Sequence, residues 1–111
     1  MELIPSIDLR GGRVVRLGQG DYARETIYDA DPIAVARGFA VAGARRIHVV
    51  DLDGARDGQA GNAAVIGALL AACPQLAVQV GGGMRTRERV EAVLGEGAAR
   101  VVIGTAALEQ P

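Results

Sequence analysis

The sequence contains no lysine and no tryptophan, and it has one cysteine, one histidine and one phenylalanine. The single Cys73 excludes an internal disulfide and fits a reducing compartment. With so few aromatic residues, a core has to be built from Ala, Val, Leu and Ile, which favours helices packed on strands. The twelve basic residues are all arginine and face thirteen acidic ones. This balance gives no footprint for nucleic acid or for an acidic membrane surface.

Targeting and membrane signals are also missing. The start of the chain, MELIP, lacks the basic region and the long apolar run of a signal peptide, and no apolar run reaches the roughly 18 residues of a membrane span. We therefore expect a cytoplasmic protein with no nucleic-acid partner and no membrane partner. Its 111 residues suffice for one small domain, and no shift in composition marks a second one.

Apolar segments bounded by turn residues predict four strands, at residues 3–9, 47–51, 76–80 and 101–103. Capping residues and helical spacing predict helices at 32–42, at 63–72 with Asn62 as the cap, and after the cap Thr86. Residues 13–17 extend a small hairpin from the turn pair Gly11-Gly12, and residues 18–30 and 53–58 are predicted loops. The order is βαβαβαβ, and the strands are apolar on both sides. This pattern predicts the α/β class, with a parallel sheet that helices cover.

In parallel α/β folds a ligand binds at the carboxyl ends of the strands. The residues predicted to lie there are two carboxylates and two glycine-rich turns: Asp8, Asp51, Gly81, Gly82, Gly83, Gly104 and Thr105. Glycines after a strand can bring backbone N–H groups around a phosphate, or they can simply form a tight turn. Two such turns on neighbouring strands favour phosphate. Arg85 either adds positive charge to this site or is an ordinary solvated arginine.

Asp8 is the candidate general base. A carboxylate at the mouth of a half-apolar site can have its pKa raised by desolvation and then accept a proton from a substrate. A turn-forming or capping aspartate is the alternative interpretation. The same ambiguity applies to Asp51, whereas Asp53 is predicted to shape its loop.

Three other features are predicted to carry no chemistry. Residues 18–23 match the dinucleotide pattern G-x-G-x-x-G/A, but no helix begins there and no acidic residue ends a strand about 20 positions later. His48 is predicted to be a packed core residue, since no second histidine exists to complete a metal site. Cys73 is interpreted as a small apolar filler.

Six segments of the chain together resemble one known family. They are 4–9, 12–17, 19–21, 48–55, 78–83 and 103–107, with the sequences IPSIDL, GRVVRL, QGD, HVVDLDGA, VQVGGG and IGTAA. In this order they resemble the phosphoribosylformimino-aminoimidazole-carboxamide ribotide isomerases of histidine biosynthesis. The cyclase subunit of imidazole glycerol phosphate synthase is similar in layout. It typically has Cys-Leu-Asp in the first strand and a lysine in the hairpin, where this chain has Ser6-Ile7-Asp8 and only arginine.

The resemblance implies a TIM barrel of two similar halves, each with a phosphate site, for a substrate that has a phosphate at each end. The implied reaction is an Amadori rearrangement of an aminoaldose to an aminoketose, driven by acid and base without a metal or organic cofactor. Asp8 matches the general base. The positions that match or adjoin the phosphate site, the first active-site loop and the barrel mouth are Gly81, Gly82, Gly83, Gly104, Thr105, Arg16, Gln19, Gly20, Asp51 and Arg85.

A full barrel takes about 250 residues and eight strands, whereas four strands are predicted here. We therefore expect residues 1–111 to be the N-terminal half-barrel, with the general acid and the second phosphate site in an absent C-terminal half. The first and fourth strands would be open edges that allow self-association. The functions left open are half of a histidine-pathway isomerase that is inactive alone, a dual-substrate isomerase that also converts phosphoribosylanthranilate in tryptophan biosynthesis, and a non-catalytic phosphate-binding half-barrel.

Overall fold

The computed structural model of the protein describes residues 4–18, 21–29, 31–57 and 62–103. Its strands are β1 (Ser6–Arg10), β2 (Arg13–Gly18), β3 (Asp21–Asp29), β4 (Arg46–Asp51), β5 (Ala77–Gly81) and β6 (Arg100–Val102). They form one sheet in the order β3-β2-β1-β4-β5-β6. The strands β1, β4, β5 and β6 run parallel, and β2 and β3 add an antiparallel hairpin beside β1. The predicted parallel sheet of four strands is confirmed, and the hairpin extends it.

The helices are α1 (Pro32–Val41), α2 (Leu52–Asp57), α3 (Ala63–Ala72) and α4 (Arg87–Gly95). The predicted caps of α1 and α4 are confirmed: Asp31 Oδ1 accepts from the Ile33 amide at 3.0 Å, and Thr86 Oγ1 accepts from the Arg89 amide at 3.1 Å. Each cap satisfies an N–H group that has no partner within its helix. Asn62 stands at the predicted N-cap position of α3, and its carbonyl oxygen accepts from the Ile66 amide at 2.9 Å, but its side chain makes no capping bond to that helix.

The core lies between the helices and one face of the sheet. Alternate strand residues point into it and are buried, among them Ile7, Leu9, Ile47, Val49, Val78 and Val80. The helices add aliphatic side chains such as Ala36, Ile66, Leu69 and Val93. Among the described residues, the fully buried core contains no aromatic side chain, and the partly buried Phe39 packs against it. Cys73 lies within it at 1% exposure, which agrees with its interpretation as an apolar filler.

The predicted loop at residues 18–30 is wrong, because Asp21–Asp29 form β3. This segment is too polar to show an apolar alternation, but it contains Tyr22, Thr26, Ile27 and Tyr28, residue types that favour strands. Its ladder with β2 is irregular, with register shifts on either side of Val15 and Arg16. A strand at the edge of a sheet forms backbone hydrogen bonds to one neighbour and does not require alternating apolar and polar side chains. The alternation that marks core strands is therefore absent from the sequence of β3.

The predicted loop at residues 53–58 is also wrong over most of its length, because Leu52–Asp57 form α2. Asp51 begins this helix: its Oδ1 accepts from the amide of Gly54 at 2.8 Å, the spacing of an N-terminal cap. The expectation of an open edge at the first strand is wrong as well, because Asp8, Leu9 and Arg10 pair with β2. Within the described ranges β6 has one neighbouring strand, and the exposed fractions of Val102 and Ile103 are 41% and 42%.

Candidate active site

Four residues from the four parallel strands form a cross-strand row at the carboxyl ends. Asp8 on β1 is paired with Val50 on β4, Val50 with Gly81 on β5, and Gly81 with Val102 on β6. Paired residues of a sheet point to the same face, so Asp8 and Gly81 lie on one face, two strands and roughly 10 Å apart. The structure therefore brings together the predicted base and the first of the three predicted phosphate-binding glycines.

This row lies on the face of the sheet opposite the core. A second row, two residues earlier along each strand, contains Ser6, His48, Gln79 and Arg100. None of these four residues belongs to the apolar core cluster. The prediction that His48 is a core residue is thus wrong, because Ile47 and Val49 on either side of it fill the core. The face carries polar side chains directly beneath the row that holds Asp8.

Asp8 is half-buried, and burial raises the pKa of its carboxyl group above the ordinary value. Two neighbours oppose this shift. The Ser6 hydroxyl, 3.5 Å from Asp8 Oδ1, and the charge interaction with His48 both lower the pKa. Desolvation is the largest of the three effects. A carboxylate whose pKa is raised in this way is a stronger base than a solvated aspartate, which suits proton abstraction.

The carboxylate of Asp51 points away from this face and is fully buried. In addition to capping α2, its Oδ2 accepts from the backbone amide of Asn62 at 3.0 Å, and its Oδ1 accepts from Asn62 Nδ2 at 2.7 Å. A buried carboxylate is tolerated only with such partners. The substrate role suggested for Asp51 stays a prediction, and its observed bonds hold α2 and α3 against the end of β4.

The three glycines after β5 differ in what the fold demands of them. A Cβ on Gly82, where φ is +88°, would collide with the carbonyl oxygen of Asp51 and lie 2.9 Å from its amide nitrogen. Gly83 has φ of +73°, which also favours glycine. A Cβ on Gly81 would lie 3.5 Å from His48 Cε1 and 3.6 Å from Val102 Cβ, both ordinary contacts. Close packing on β4 explains Gly82, whereas among the described residues nothing explains the absence of a side chain at Gly81.

The loop after these glycines leads directly into α4. Met84 is buried and anchors the loop in the core, while Arg85 is exposed and its amide donates to the Gly83 carbonyl at 3.0 Å. The loop thus enters the capped N-terminus of a nine-residue helix at Thr86. Backbone N–H groups at such a strand-to-helix turn are suited to an anion.

The structure describes the remaining predicted site residues only in part. Arg16 lies on β2 opposite Thr26, but its side chain is outside what the structure describes. Gln19 and Gly20, and the second predicted phosphate turn at Gly104 and Thr105, lie outside the described residues. Their roles stay predictions.

Sequence reasoning missed the part played by Asn62. Its Oδ1 accepts from the Gly12 amide at 2.8 Å, and its Nδ2 donates to Asp53 Oδ2 at 3.0 Å, which also accepts from the Gly11 amide at 2.8 Å. An asparagine before a helix is normally read as a cap, and the pairing of Gly12 with a residue 50 positions away has no local signal. The prediction that Asp53 shapes its own loop is incomplete, since it also binds the β1–β2 turn.

Two absences hold for residues 4–18, 21–29, 31–57 and 62–103. No three His, Cys, Asp or Glu side chains there are placed to hold a metal ion. No helix in the same part of the chain has both the length and the apolar character needed to cross a membrane.

Comparison with known proteins places these features in context. The profile of a family described as "Histidine biosynthesis protein" matches residues 2–111. The chain is 60% identical over 111 residues to the 1-(5-phosphoribosyl)-5-((5-phosphoribosylamino)methylideneamino)imidazole-4-carboxamide isomerase of Thermomicrobium roseum, covering all of this chain and 46% of the relative. The isomerases with the same name from Dehalococcoides mccartyi and a Cyanothece species are 51% and 50% identical over 111 residues, with 45% and 43% of the relatives covered. The chain thus spans about half the length of the curated relatives that it matches.

Proposed function

The chain belongs to the histidine biosynthesis protein family, and we propose that it forms one half of a (β/α)8 isomerase that converts a phosphoribosylformimino aminoaldose to the corresponding aminoketose. The observation that carries this proposal is the shared row of Asp8 and Gly81, in which a carboxyl group of raised pKa and a glycine-rich strand end lie on one face of the sheet, two strands apart. Four parallel strands are half of the eight that such a barrel contains.

In the proposed reaction, Asp8 is the general base. An Amadori rearrangement requires the sugar ring to open with proton donation to the ring oxygen, and then a proton to leave the carbon next to the imine. The enolamine so formed gains a proton at the former imine carbon and loses its enol hydroxyl proton, which gives the aminoketose. A carboxylate held near the substrate by burial can take up that proton, and general-base assistance contributes typically 10²- to 10⁴-fold. The general acid is proposed to come from the second half of the barrel. This acid–base chemistry needs no organic cofactor.

The other site residues are proposed to bind a bis-phosphorylated sugar. Backbone N–H groups of the Gly81–Gly83 turn, together with those at Gly104 and Thr105, would surround one phosphate, and Arg85 would add charge. Arg16, Gln19, Gly20 and Asp51 are proposed to line the mouth of the site. Residues 1–111 would then hold one end of the substrate, and the remaining half of the barrel would hold the other.

The test is a chimaeric enzyme in which residues 1–111 replace the matching part of the Thermomicrobium roseum isomerase. Because the two sequences are 60% identical, we expect residues 1–111 to pack against the second half of that isomerase. We expect the chimaera to isomerise the substrate named for that relative, and Asp8→Asn to lower kcat on the order of 10²- to 10⁴-fold with little change in KM. A folded chimaera without turnover, or an unimpaired Asp8→Asn variant, would contradict the proposal.

The same preparation tests the alternatives. Turnover of phosphoribosylanthranilate by the chimaera would support a dual-substrate isomerase. For the 111-residue chain alone, we propose self-association through β6, beside which the described residues place one strand. A folded dimer of the chain that binds inorganic phosphate while the chimaera remains inactive would favour the non-catalytic half-barrel.

A further inference from the structure

The side chain of Asn62 joins three segments of the chain at one buried point. Its Nδ2 donates to Asp51 Oδ1 and Asp53 Oδ2, and it also lies 3.4 Å from the carbonyl oxygen of Leu9. Its Oδ1 accepts from the amide of Gly12. Only 1% of the residue is exposed. The end of β1, the end of β4 and the start of α2 therefore meet at a single amide group.

An amide satisfies both sides of this link, because it offers an acceptor and two donors, whereas a hydroxyl has one donor for the two carboxylates. The Gly12 amide requires an acceptor, whereas the carboxylates of Asp51 and Asp53 require a donor. An inverted amide would place Nδ2 against an N–H group and Oδ1 against two carboxylates, so the bonds themselves fix its orientation. A carboxyl side chain at position 62 would lack the donor, and an apolar one would leave a buried carboxylate short of a partner.

The side chain of Asn62 makes these bonds instead of a capping bond to its own helix. An asparagine at the start of a helix usually accepts a hydrogen bond from an amide two or three residues later. Here no such bond forms in α3. The backbone amide of Asn62 donates to Asp51 Oδ2, and the side chain turns to the β1–β2 turn. The geometry therefore gives the connection between the strands priority over the end of α3.

The turn held by Asn62 begins close to Asp8. Gly11 and Gly12 have φ values of +58° and +78°, which is the conformation of a two-residue type I′ hairpin turn between Arg10 and Arg13. The amides of such central residues lie outside the strand ladder. Asp53 and Asn62 accept from them. The side chains of the β4–α3 region thus complete the backbone hydrogen bonding of the turn that follows Asp8.

The second end of the link leads to the glycine turn. Asp51, which is bound to Asn62 through its carboxylate, is the residue whose backbone packs against Gly82. Any tilt of the β1 end relative to β4 would change the separation between Asp8 and the Gly81–Gly83 turn. Reactions in which a bound substrate meets a positioned base are sensitive to displacements of this kind.

We propose that Asn62 is a positioning residue whose buried amide clamps the β1–β2 turn to the end of β4 and so fixes Asp8 relative to the glycines after β5. This inference rests on the proposed function. Asn62 itself is buried at the end of the sheet, and it acts on the reaction through its bonds to Leu9, Gly12, Asp51 and Asp53.

The experiment compares Asn62→Ala, the milder Asn62→Ser and the control Leu70→Ala in the chimaeric enzyme. Leu70 is buried on the same helix, so its truncation loosens α3 without touching the link. For Asn62→Ala we expect kcat to fall on the order of 10- to 100-fold with KM changed less than about threefold. Leu70→Ala is expected to lower Tm and to leave kcat, measured well below Tm, unchanged.

The pH profile separates positioning from simple loss of stability. A loosened strand end lets water reach Asp8, which lowers the pKa of its carboxyl group, and the acid limb of kcat/KM should then move to lower pH in Asn62→Ala. The two groups that shift the pKa of Asp8, Ser6 on its own strand and His48 on β4, are unchanged in all three variants, as are Arg10 and Arg13, which lie on the same face of the sheet. Leu70→Ala should keep the acid limb of the unsubstituted enzyme.

The outcomes distinguish the inference from the proposed function. If Asn62→Ala lowers Tm but keeps kcat and the acid limb, as Leu70→Ala does, the inference is overturned while the proposed function stands. If Asn62→Ala does not fold, the same readouts on Asn62→Ser decide. A folded, unsubstituted chimaera without turnover would overturn the proposed function and the inference together.

Discussion

Gly81 and Gly82 are neighbours, yet their substitution by alanine should change the stability of the fold to very different extents. Gly82→Ala places a methyl group against the backbone of Asp51 at a positive φ, and we expect it to reduce the free energy of unfolding by about 2 to 4 kcal/mol. Gly81→Ala meets only ordinary contacts and should change that free energy by about 0.5 kcal/mol or less. Chemical denaturation of both variants of the 111-residue chain measures the difference.

The same pair separates packing from ligand binding. In the chimaeric enzyme, Gly81→Ala should raise KM on the order of tenfold, because a methyl group would weaken about one hydrogen bond to the proposed phosphate. Equal losses of stability in both variants would contradict the distinction between them. An unchanged KM in Gly81→Ala would remove Gly81 from the proposed phosphate site.

The ionised carboxylate of Asp8 should lower the free energy of unfolding at neutral pH. Because burial raises the pKa of its carboxyl group in the folded state, the folded chain holds this proton more tightly than the unfolded chain. The protonated carboxyl group therefore contributes its full stabilisation of the folded state below the unfolded pKa, and this contribution is lost as pH rises through the folded pKa. Asp8→Asn should be more stable than the unsubstituted chain at pH 7, and the difference should shrink as pH falls through that window. Denaturation midpoints at several pH values test this, and a less stable variant at pH 7 would contradict it.

At the scale of elements, the short helix α2 should stabilise the β1–β2 hairpin by hydrogen bonds to its turn. Asp53, in its first turn, accepts from the Gly11 amide as well as from Asn62. Asp53→Ala should reduce the free energy of unfolding by about 1 kcal/mol and speed exchange of the Gly11 amide on the order of tenfold. The amide of Cys73, which is bonded to Leu69 at the far end of α3, serves as the internal control. Equal acceleration at both amides would indicate general loosening instead.

Elements whose signals are local could be predicted from the sequence. Asp31-Pro32 and Thr86 begin α1 and α4 as expected, and the glycine pair at 11–12 forms the predicted turn. The strand β3 and the helix α2 were not predictable in this way, because one is a polar edge strand and the other is a six-residue helix that contains a glycine. Asp8 and Gly81 could be placed at strand ends from the sequence. The role of Asn62 could not, since its partners are distant along the chain and its own surroundings suggest a cap.

Within the described residues, the two faces of the parallel sheet differ in what lies against them. The helices bury the face that carries Ile7, Val49 and Val80, whereas the opposite face presents the rows that contain Asp8 and His48. In a closed barrel the second set would point to the interior and be covered by the other strands. The same face is thus both the proposed site and the surface that the rest of a barrel would cover.

The polar face of the sheet and the edge of β6, as the described residues show them, should make the 111-residue chain associate with itself. Val102 and Ile103, at the end of β6, are both more than 40% exposed, and the described part of the chain places no second neighbour beside that strand. We expect the weight-average mass in sedimentation equilibrium to rise with concentration. Ile103→Lys should lower it, because a charge at an edge opposes strand pairing.

Val41→Lys, a substitution at the end of α1 where the side chain is 89% exposed, is the matched control and should leave association unchanged. The chimaeric enzyme, in which the second half covers the edge, should not respond to Ile103→Lys by this route. A chain that stays monomeric at all concentrations would contradict the prediction.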